Sequence, residues 1–125
     1  MPITQQQLND LETTINARLA AHKAAFVMSM HFASDRVNDA RNVPPITIQE
    51  LESIFDRLIN QHLTSIVALN DGDTFTIRCA SSHINMPCAV RKDETATATI
   101  TQKNIVITVM RKQDFYSKDP VVFLV

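Results

Sequence analysis

Apolar residues recur at helical spacing in two segments of the first half of the chain. In each segment a threonine precedes a Gln or Glu by three residues, which is the pattern of a capping box at a helix start. The two pairs are Thr4 with Gln7 and Thr47 with Glu50. The apolar positions that follow are Leu8, Leu11, Ile15 and Leu19, and then Leu51, Ile54, Phe55, Leu58 and Ile59. This spacing predicts helices over 5–22 and 48–63.

The second half of the chain contains short apolar segments separated by turn-forming residues. They predict β-strands near 74–80, 84–91, 95–101 and 105–112. Gly72, the only glycine, lies in the Asn-Asp-Gly-Asp sequence at 70–73, which is typical of a turn. Short strands joined by tight turns favour an antiparallel meander. We therefore expect an α+β fold in which N-terminal helices pack on one face of a four- to five-stranded antiparallel sheet.

The connections between these elements leave alternatives open. Residues 24–30 are apolar and fit either a strand or the start of a helix, and 31–40 predict a short helix that ends before Pro44 and Pro45. A hairpin turn at 103–104 would place Thr108 on a hydroxyl-rich face of the last strands, together with Thr95, Thr97 and Thr99. A three-residue loop would shift that register.

Composition and charge agree with one folded domain over 1–125, mainly helical in 1–65 and a strand meander in 74–125. The 125 residues are 45% hydrophobic and 20% charged, which is ordinary for a globular protein. The net charge of −1 argues against a generally basic surface. Residues 1–73 carry 5 basic and 9 acidic side chains, whereas residues 74–125 carry 7 basic and 4 acidic ones. The strand half is therefore the basic half.

Neither a membrane nor a cofactor is expected from the sequence. The chain contains no run of about 18 apolar residues, and its first residues lack the basic and apolar regions of a secretory signal. We therefore expect a cytoplasmic protein. Cys79 and Cys88 are not at the spacing of a Cys-x-x-Cys site, and we expect free thiols and no bound metal.

Polar residues with useful chemistry are concentrated in three places: 31–41, 83–85, and Thr108 with the basic residues that follow it. His31 can transfer protons near neutral pH, and the planar guanidinium of Arg36 suits phosphate. The simpler interpretation of 31–41 is the solvated face of a short helix, and a threonine within a strand needs no special explanation.

The sequence HFASDRVNDARNVPPIT, the helix QELESIF and the late strand IVITVMRK resemble the barnase, EndoU, colicin and RelE group of small ribonucleases and toxins. More narrowly, they resemble small phage and bacterial proteins with a histidine, an arginine five residues later, an "I-T-x-x-E-L" helix start and a late "V-x-T-V" strand. The matching residues are His31, Arg36, Ile46, Thr47, Glu50, Leu51, Thr108 and Val109. The first helix lies outside the resemblance.

The resemblance implies a metal-independent endoribonuclease in a bacterial cell or a phage-infected host. The RNA 2′-hydroxyl would attack the adjacent phosphorus and leave a 2′,3′-cyclic phosphate. Such chemistry needs proton transfer and positive charge near the phosphorus. The resemblance makes His31 a general acid or base, Arg36 a phosphate ligand and Thr108 a positioning hydroxyl. By charge and position we add Arg41, Lys112 and His83 as substrate-binding residues.

Two other functions remain open. The neutral overall charge and the scarcity of large aromatic residues also fit a non-catalytic phage-type accessory protein that binds and inhibits a host protein. The apolar tail at 121–125 fits either the last strand of the sheet or the contact of a homodimer. The sequence leaves monomer and homodimer as alternatives.

Overall fold

The computed structural model describes residues 2–93, 101–114 and 119–125, and for residues 31 and 34 it describes the backbone. The helices are α1 (Gln5–Leu19) and α2 (Ile48–Val67), and the strands are β1 (Ala24–Met28), β2 (Thr74–Arg78), β3 (Ile84–Lys92), β4 (Gln102–Val106), β5 (Met110–Arg111) and β6 (Val121–Leu124). A short 3₁₀-helix follows α1, and a π-helix, His31–Arg36, follows β1. The predicted α+β class is confirmed.

Both α-helices begin at the predicted capping boxes. The Thr4 hydroxyl accepts a hydrogen bond from the Gln7 backbone at 3.1 Å, and the Gln7 side chain accepts one from the Thr4 backbone at 2.9 Å. The same reciprocal pair forms between Thr47 and Glu50 at 3.2 and 3.0 Å. Each pair satisfies backbone N–H groups that a helix start leaves without partners. α2 continues to Val67, beyond the predicted end.

The part of the sheet that the structure describes has six strands and is mixed, so the expectation of a purely antiparallel sheet is wrong. Its order is β1-β4-β3-β2-β6, with β5 paired to β3 beyond the end of β4. β3 runs antiparallel to β2, β4 and β5, whereas β1 is parallel to β4 and β6 is parallel to β2. In each parallel pair the two strands are far apart in the chain and are joined by a long connection, which a pattern of tight turns does not predict.

The hairpin turn considered at 103–104 does not form, because these residues lie inside β4. The polar side chains of Gln102 and Asn104 are buried in the protein interior. The Gln102 amide donates to the Ile66 carbonyl and to Asn104 Oδ1, both at 2.9 Å, and Asn104 donates to the Ala25 carbonyl at 3.1 Å. The predicted strand at 95–101 lies almost wholly outside the described residues.

The predicted strand at 105–112 is interrupted between β4 and β5. Pro87 of β3 lies opposite this interruption and lacks the N–H group that a continuous ladder requires. The Pro87 carbonyl still accepts a hydrogen bond from the Ile107 backbone at 2.9 Å. The interruption releases Thr108 from regular strand pairing.

Side chains of the helices reach the outer strands of the sheet. From α1, the Asn16 amide exchanges two hydrogen bonds with the Phe26 backbone at 2.8 and 3.0 Å, and Glu12 accepts from the Met28 backbone at 3.0 Å. These contacts occupy part of the outer side of β1, which would otherwise offer unpaired backbone groups. The apolar tail forms β6, as the last-strand interpretation predicted. No helix in the described ranges is both long and apolar enough to cross a membrane.

Candidate functional site

Ser29 anchors the π-helix beside the interruption between β4 and β5. Its backbone N–H donates to the Val106 carbonyl at 3.1 Å, and its hydroxyl donates to the Ile107 carbonyl at 2.7 Å. The same hydroxyl accepts a hydrogen bond from the Phe32 backbone at 3.1 Å. Ser29 therefore holds the start of the π-helix next to the chain that leads to Thr108.

Asn42 makes a second connection between these two parts of the chain. Its side chain is buried, its Oδ1 accepts from the Arg111 backbone at 2.8 Å, and its Nδ2 donates to the Arg36 carbonyl at 3.0 Å. A buried amide that uses both its donor and its acceptor fixes the two backbones relative to each other. The end of the π-helix and β5 are consequently held as two walls of one cavity.

This first cavity has a volume of about 450 Å³. It is lined by Arg36, Asp39, Arg41, Asn42, Thr108, Val109, Met110, Arg111 and Lys112. Four residues that the sequence singled out therefore lie around one space: Arg36, Arg41, Thr108 and Lys112. They come from two segments that are far apart in the chain.

Cationic side chains dominate the first cavity. Among its described lining residues, Asp39 is the carboxylate that faces them, at 2.8 Å from Arg41 and 3.6 Å from Arg36. Hydrogen bonds from the Arg41 side chain and backbone, and then the charges of Arg41 and Arg36, hold the pKa of Asp39 well below its ordinary value. Asp39 is thus ionised at neutral pH and offsets one positive charge, so the cavity keeps a net positive charge.

His31 begins the π-helix whose other end carries Arg36. The backbone of His31 lies in the segment that Ser29 anchors, whereas its side chain lies outside the described atoms. Arg36 and Thr108 line one cavity, as their predicted roles in one site require. For His31 the structure describes the backbone alone.

A second cavity, of about 740 Å³, lies on the other side of Arg111. It is lined by Val43, Pro44, Gln49, Glu50, Ser53, Arg57, Cys79, Ser81, Ser82, His83, Arg111 and Gln113. His83, the sixth residue that the sequence singled out, belongs here and not to the first cavity. It has a left-handed backbone with φ of 59°, and its N–H donates to the Cys79 carbonyl at 3.0 Å.

Arg111 is the partition between the two cavities. Its guanidinium forms two hydrogen bonds with the Glu50 carboxylate, at 2.7 and 3.0 Å, and donates to three backbone carbonyls. Those carbonyls belong to Pro44, Pro45 and Ser82. Burial raises the pKa of Glu50, but the hydrogen bonds from Arg111 and Thr47 outweigh it and lower that pKa overall. The Arg111 side chain is 8% exposed, so its role is structural.

Cys79 lies among the lining residues of the second cavity and has polar neighbours. Its Sγ is 3.5 Å from the Arg57 guanidinium and 3.5 Å from the Ser81 hydroxyl. Burial raises the pKa of this thiol, but hydrogen bonds from Ser81, from Arg57 and from the Ser82 backbone lower it to about 6. The hydrogen bonds around Cys79 thus favour its thiolate form although the residue is buried.

Cys88, the other free thiol, has the opposite environment. It lies in β3 within the hydrophobic core, where burial and the charge of Asp119 raise its pKa well above the ordinary value. The two cysteines differ because one is surrounded by donors and the other by apolar side chains.

Sequence reasoning missed the residues that connect the two segments. Asn42 follows the predicted helix at 31–40, and Arg111 is one of the basic residues after Thr108; the sequence singled out neither, although both organise the cavities. The pairing of Arg57 with Cys79 was also missed. No local spacing identifies these contacts, because each joins elements that are distant in the chain.

A comparison with models of protein families, with curated proteins and with solved structures finds no match to this chain. Within the described residues, no group of three or more His, Cys, Asp or Glu side chains is arranged to hold a metal ion.

Proposed function

We propose that the protein is a metal-independent endoribonuclease that binds the RNA phosphodiester in the first cavity. The observation that carries the proposal is that Arg36 and Thr108 line one cationic cavity together with Arg41 and Lys112. A phosphodiester is an anion with several acceptor oxygens, so guanidinium and hydroxyl donors match its charge and its hydrogen-bonding needs.

Three residues have separate roles in the proposed reaction: His31, Arg36 and Thr108. The RNA 2′-oxygen forms a bond to phosphorus while the bond from phosphorus to the 5′-oxygen breaks. The His31 imidazole serves as general base for the 2′ proton or as general acid for the departing 5′-oxygen, and solvent water completes the other transfer, so that the protons balance. Arg36 stabilises the negative charge that develops on the phosphoryl oxygens, and the Thr108 hydroxyl orients them.

The test is cleavage of a single-stranded RNA in the presence of a strong chelator, with DNA of the same sequence as the control. RNA should be cut to products with 2′,3′-cyclic phosphate ends, and DNA should be spared because it lacks the 2′-hydroxyl. Thr108→Val and Arg36→Lys should both slow cleavage, since one removes the hydroxyl and the other replaces a bidentate donor by a point charge. Purified protein that never cuts RNA would overturn the proposal.

Arg18→Lys is the matched control for Arg36→Lys. Arg18 is a surface residue of α1 that pairs with Asp56 at 2.7 Å and lies outside the first cavity. Its substitution should leave the rate of cleavage unchanged. Equal losses in the two lysine variants would mean that a general loss of surface charge or stability, and not a phosphate contact, explains the result.

One observation favours a second function, in which the protein binds and inhibits another protein without catalysis. Asp39 contacts both Arg36 and Arg41, so an internal carboxylate already occupies part of the cationic surface. A ligand phosphate must compete with it. RNA that is neither bound nor cut by the wild-type protein would favour this alternative.

A further inference from the structure

We propose that the second cavity binds the nucleobase that adjoins the phosphate held in the first cavity. The inference rests on the proposed function for its RNA substrate, but base binding in the second cavity is measurable without cleavage. It depends on the position of the cavity, on its charge and on the kinds of hydrogen-bonding groups that line it.

The two cavities are neighbours because they share Arg111. They are also joined through the backbone, since Ile84 of β3 pairs with Arg111 and the Lys112 N–H donates to the His83 carbonyl at 2.8 Å. Lys112 lines the first cavity and His83 lines the second. The two cavities therefore share one wall, and a ligand that occupies both must pass over the edge of that wall.

The charges of the second cavity are compensated from within. Arg111 is paired with Glu50, and the Arg57 guanidinium contacts Cys79 Sγ at 3.5 Å and the Ser53 carbonyl at 3.3 Å. A free phosphate would have to displace these contacts. The second cavity is consequently less suited to an anion than the first, and better suited to a neutral polar group.

Neutral donors and acceptors line the rest of the second cavity. Gln49 and Gln113 contribute amides, and Ser53, Ser81 and Ser82 contribute hydroxyls. The edge of a nucleobase carries both donors and acceptors, and an amide can satisfy one of each at the same time. The amides are therefore the groups that can distinguish one base from another.

The second cavity also offers apolar surface and enough space. Val43 and Pro44 line it, and Val43 is 75% exposed, so its apolar surface is open to a ligand. The flat face of a base can pack against such surface. A volume of about 740 Å³ lies within the range of small-molecule sites, about 300–1,000 Å³.

The test is an NMR titration of the ¹⁵N-labelled protein, separately with each of the four ribonucleosides and with inorganic phosphate. At least one nucleoside should shift the Gln49 side-chain amide and the Ser81 and Ser82 backbone amides in a saturable manner. Phosphate should instead shift residues of the first cavity, such as Arg36 and Thr108. Nucleoside shifts that are scattered over the surface, or that fall in the first cavity, would overturn the inference.

A pair of glutamine variants on α2 sharpens the titration. Gln49→Met keeps the side-chain length but removes the amide, and it should weaken nucleoside binding by about 2- to 10-fold, the effect of one lost hydrogen bond. Gln61→Met makes the same change at an exposed position outside the second cavity and should have no effect. Equal affinities in the two variants would contradict a role for the Gln49 amide.

The outcomes separate the base site from the nuclease. Nucleoside binding in the second cavity by a protein that cuts no RNA would support the base site and overturn the nuclease. RNA cleavage combined with a second cavity that responds to no nucleoside would support the nuclease and overturn the base site. A protein that does neither would contradict both.

Discussion

In the first cavity, Asp39 offsets only part of the positive charge of the lining side chains. In the second cavity, each arginine has a fixed partner. Arg41 is exposed beside Asp39, but Arg111 is almost fully buried against Glu50 and backbone carbonyls. An exposed cation can exchange its partner for a ligand at small cost, and a buried ion pair cannot. Neighbouring cavities with similar residue types can therefore serve different ligands, one an anion and the other a neutral polar group.

The largest expected effect concerns the chemistry assigned to the first cavity. His31→Ala should lower the rate of RNA cleavage by about 10²- to 10⁴-fold, because it removes the proton-transfer group. His83→Ala, in the second cavity, should alter RNA binding much more than the rate of the chemical step. Single-turnover cleavage at saturating enzyme measures this difference. Equal losses of the single-turnover cleavage rate in the two variants would contradict the assignment of the chemical step to the first cavity.

The next effect concerns the partition between the cavities. Arg111→Met should lower the free energy of unfolding by about 3 kcal/mol, because it leaves the Glu50 carboxylate without its partner in a half-buried position. Arg41→Met, at a pair with a 74% exposed arginine, should leave that free energy nearly unchanged, because solvent screens an exposed ion pair. Urea denaturation measures both. Similar losses of unfolding free energy in the two variants would mean that the buried Arg111 contributes no more to stability than the exposed Arg41 does.

The two cysteines provide a comparison of reactivity. Both thiols are buried, but Cys79 lines the second cavity and has its pKa lowered to about 6, whereas Cys88 has its pKa raised. Cys79 should be alkylated on the order of tenfold faster than Cys88 in the folded protein, with a midpoint near pH 6. Peptide mass spectrometry after brief alkylation measures this. Preferential labelling of Cys88 would contradict the description of both environments.

The same thiol predicts a dependence of stability on pH. Between the folded pKa of about 6 and the ordinary value of 9.0, the unfolded chain binds more protons at position 79 than the folded protein does. Stability from this group therefore rises with pH over that window and is lost as the pH falls through about 6. Cys79→Ser should flatten this rise in urea denaturation, and Cys88→Ser should leave it in place.

The smallest effect concerns the helix that supplies Glu50, Ser53 and Arg57 to the second cavity. Thr47→Ala removes its capping hydroxyl and should lower the free energy of unfolding by about 1 kcal/mol. Thr4→Ala removes the corresponding cap of α1 and should cost a similar amount. Thermal or urea denaturation tests both, and nucleoside binding should weaken in the Thr47 variant alone.

The sequence predicted well those features that depend on neighbouring residues. Both helix starts follow from capping pairs three residues apart, and the turn at 70–73 follows from residue types that favour it. The sheet was predicted less well. Gln102, Lys103 and Asn104 read as a polar turn, but Gln102 and Asn104 are buried in β4 and bind carbonyls of α2 and β1. The carbonyl groups that these amides bind belong to residues far away in the chain. The polar character of 102–104 therefore indicated a turn where the structure has a buried strand.

What the sequence by itself determined is the fold class, the helix starts and the residue types available for chemistry, because each depends on contacts within a few positions of the chain. Only the tertiary structure decided that the sheet is mixed, that Arg36 and Thr108 share a cavity, and that His83 belongs to another. These facts depend on Ser29, Asn42 and Arg111, whose hydrogen bonds join residues that are 78, 69 and 61 positions apart in the chain. The closure of such long-range contacts is a property of the whole packed chain, and no short window of residues contains it.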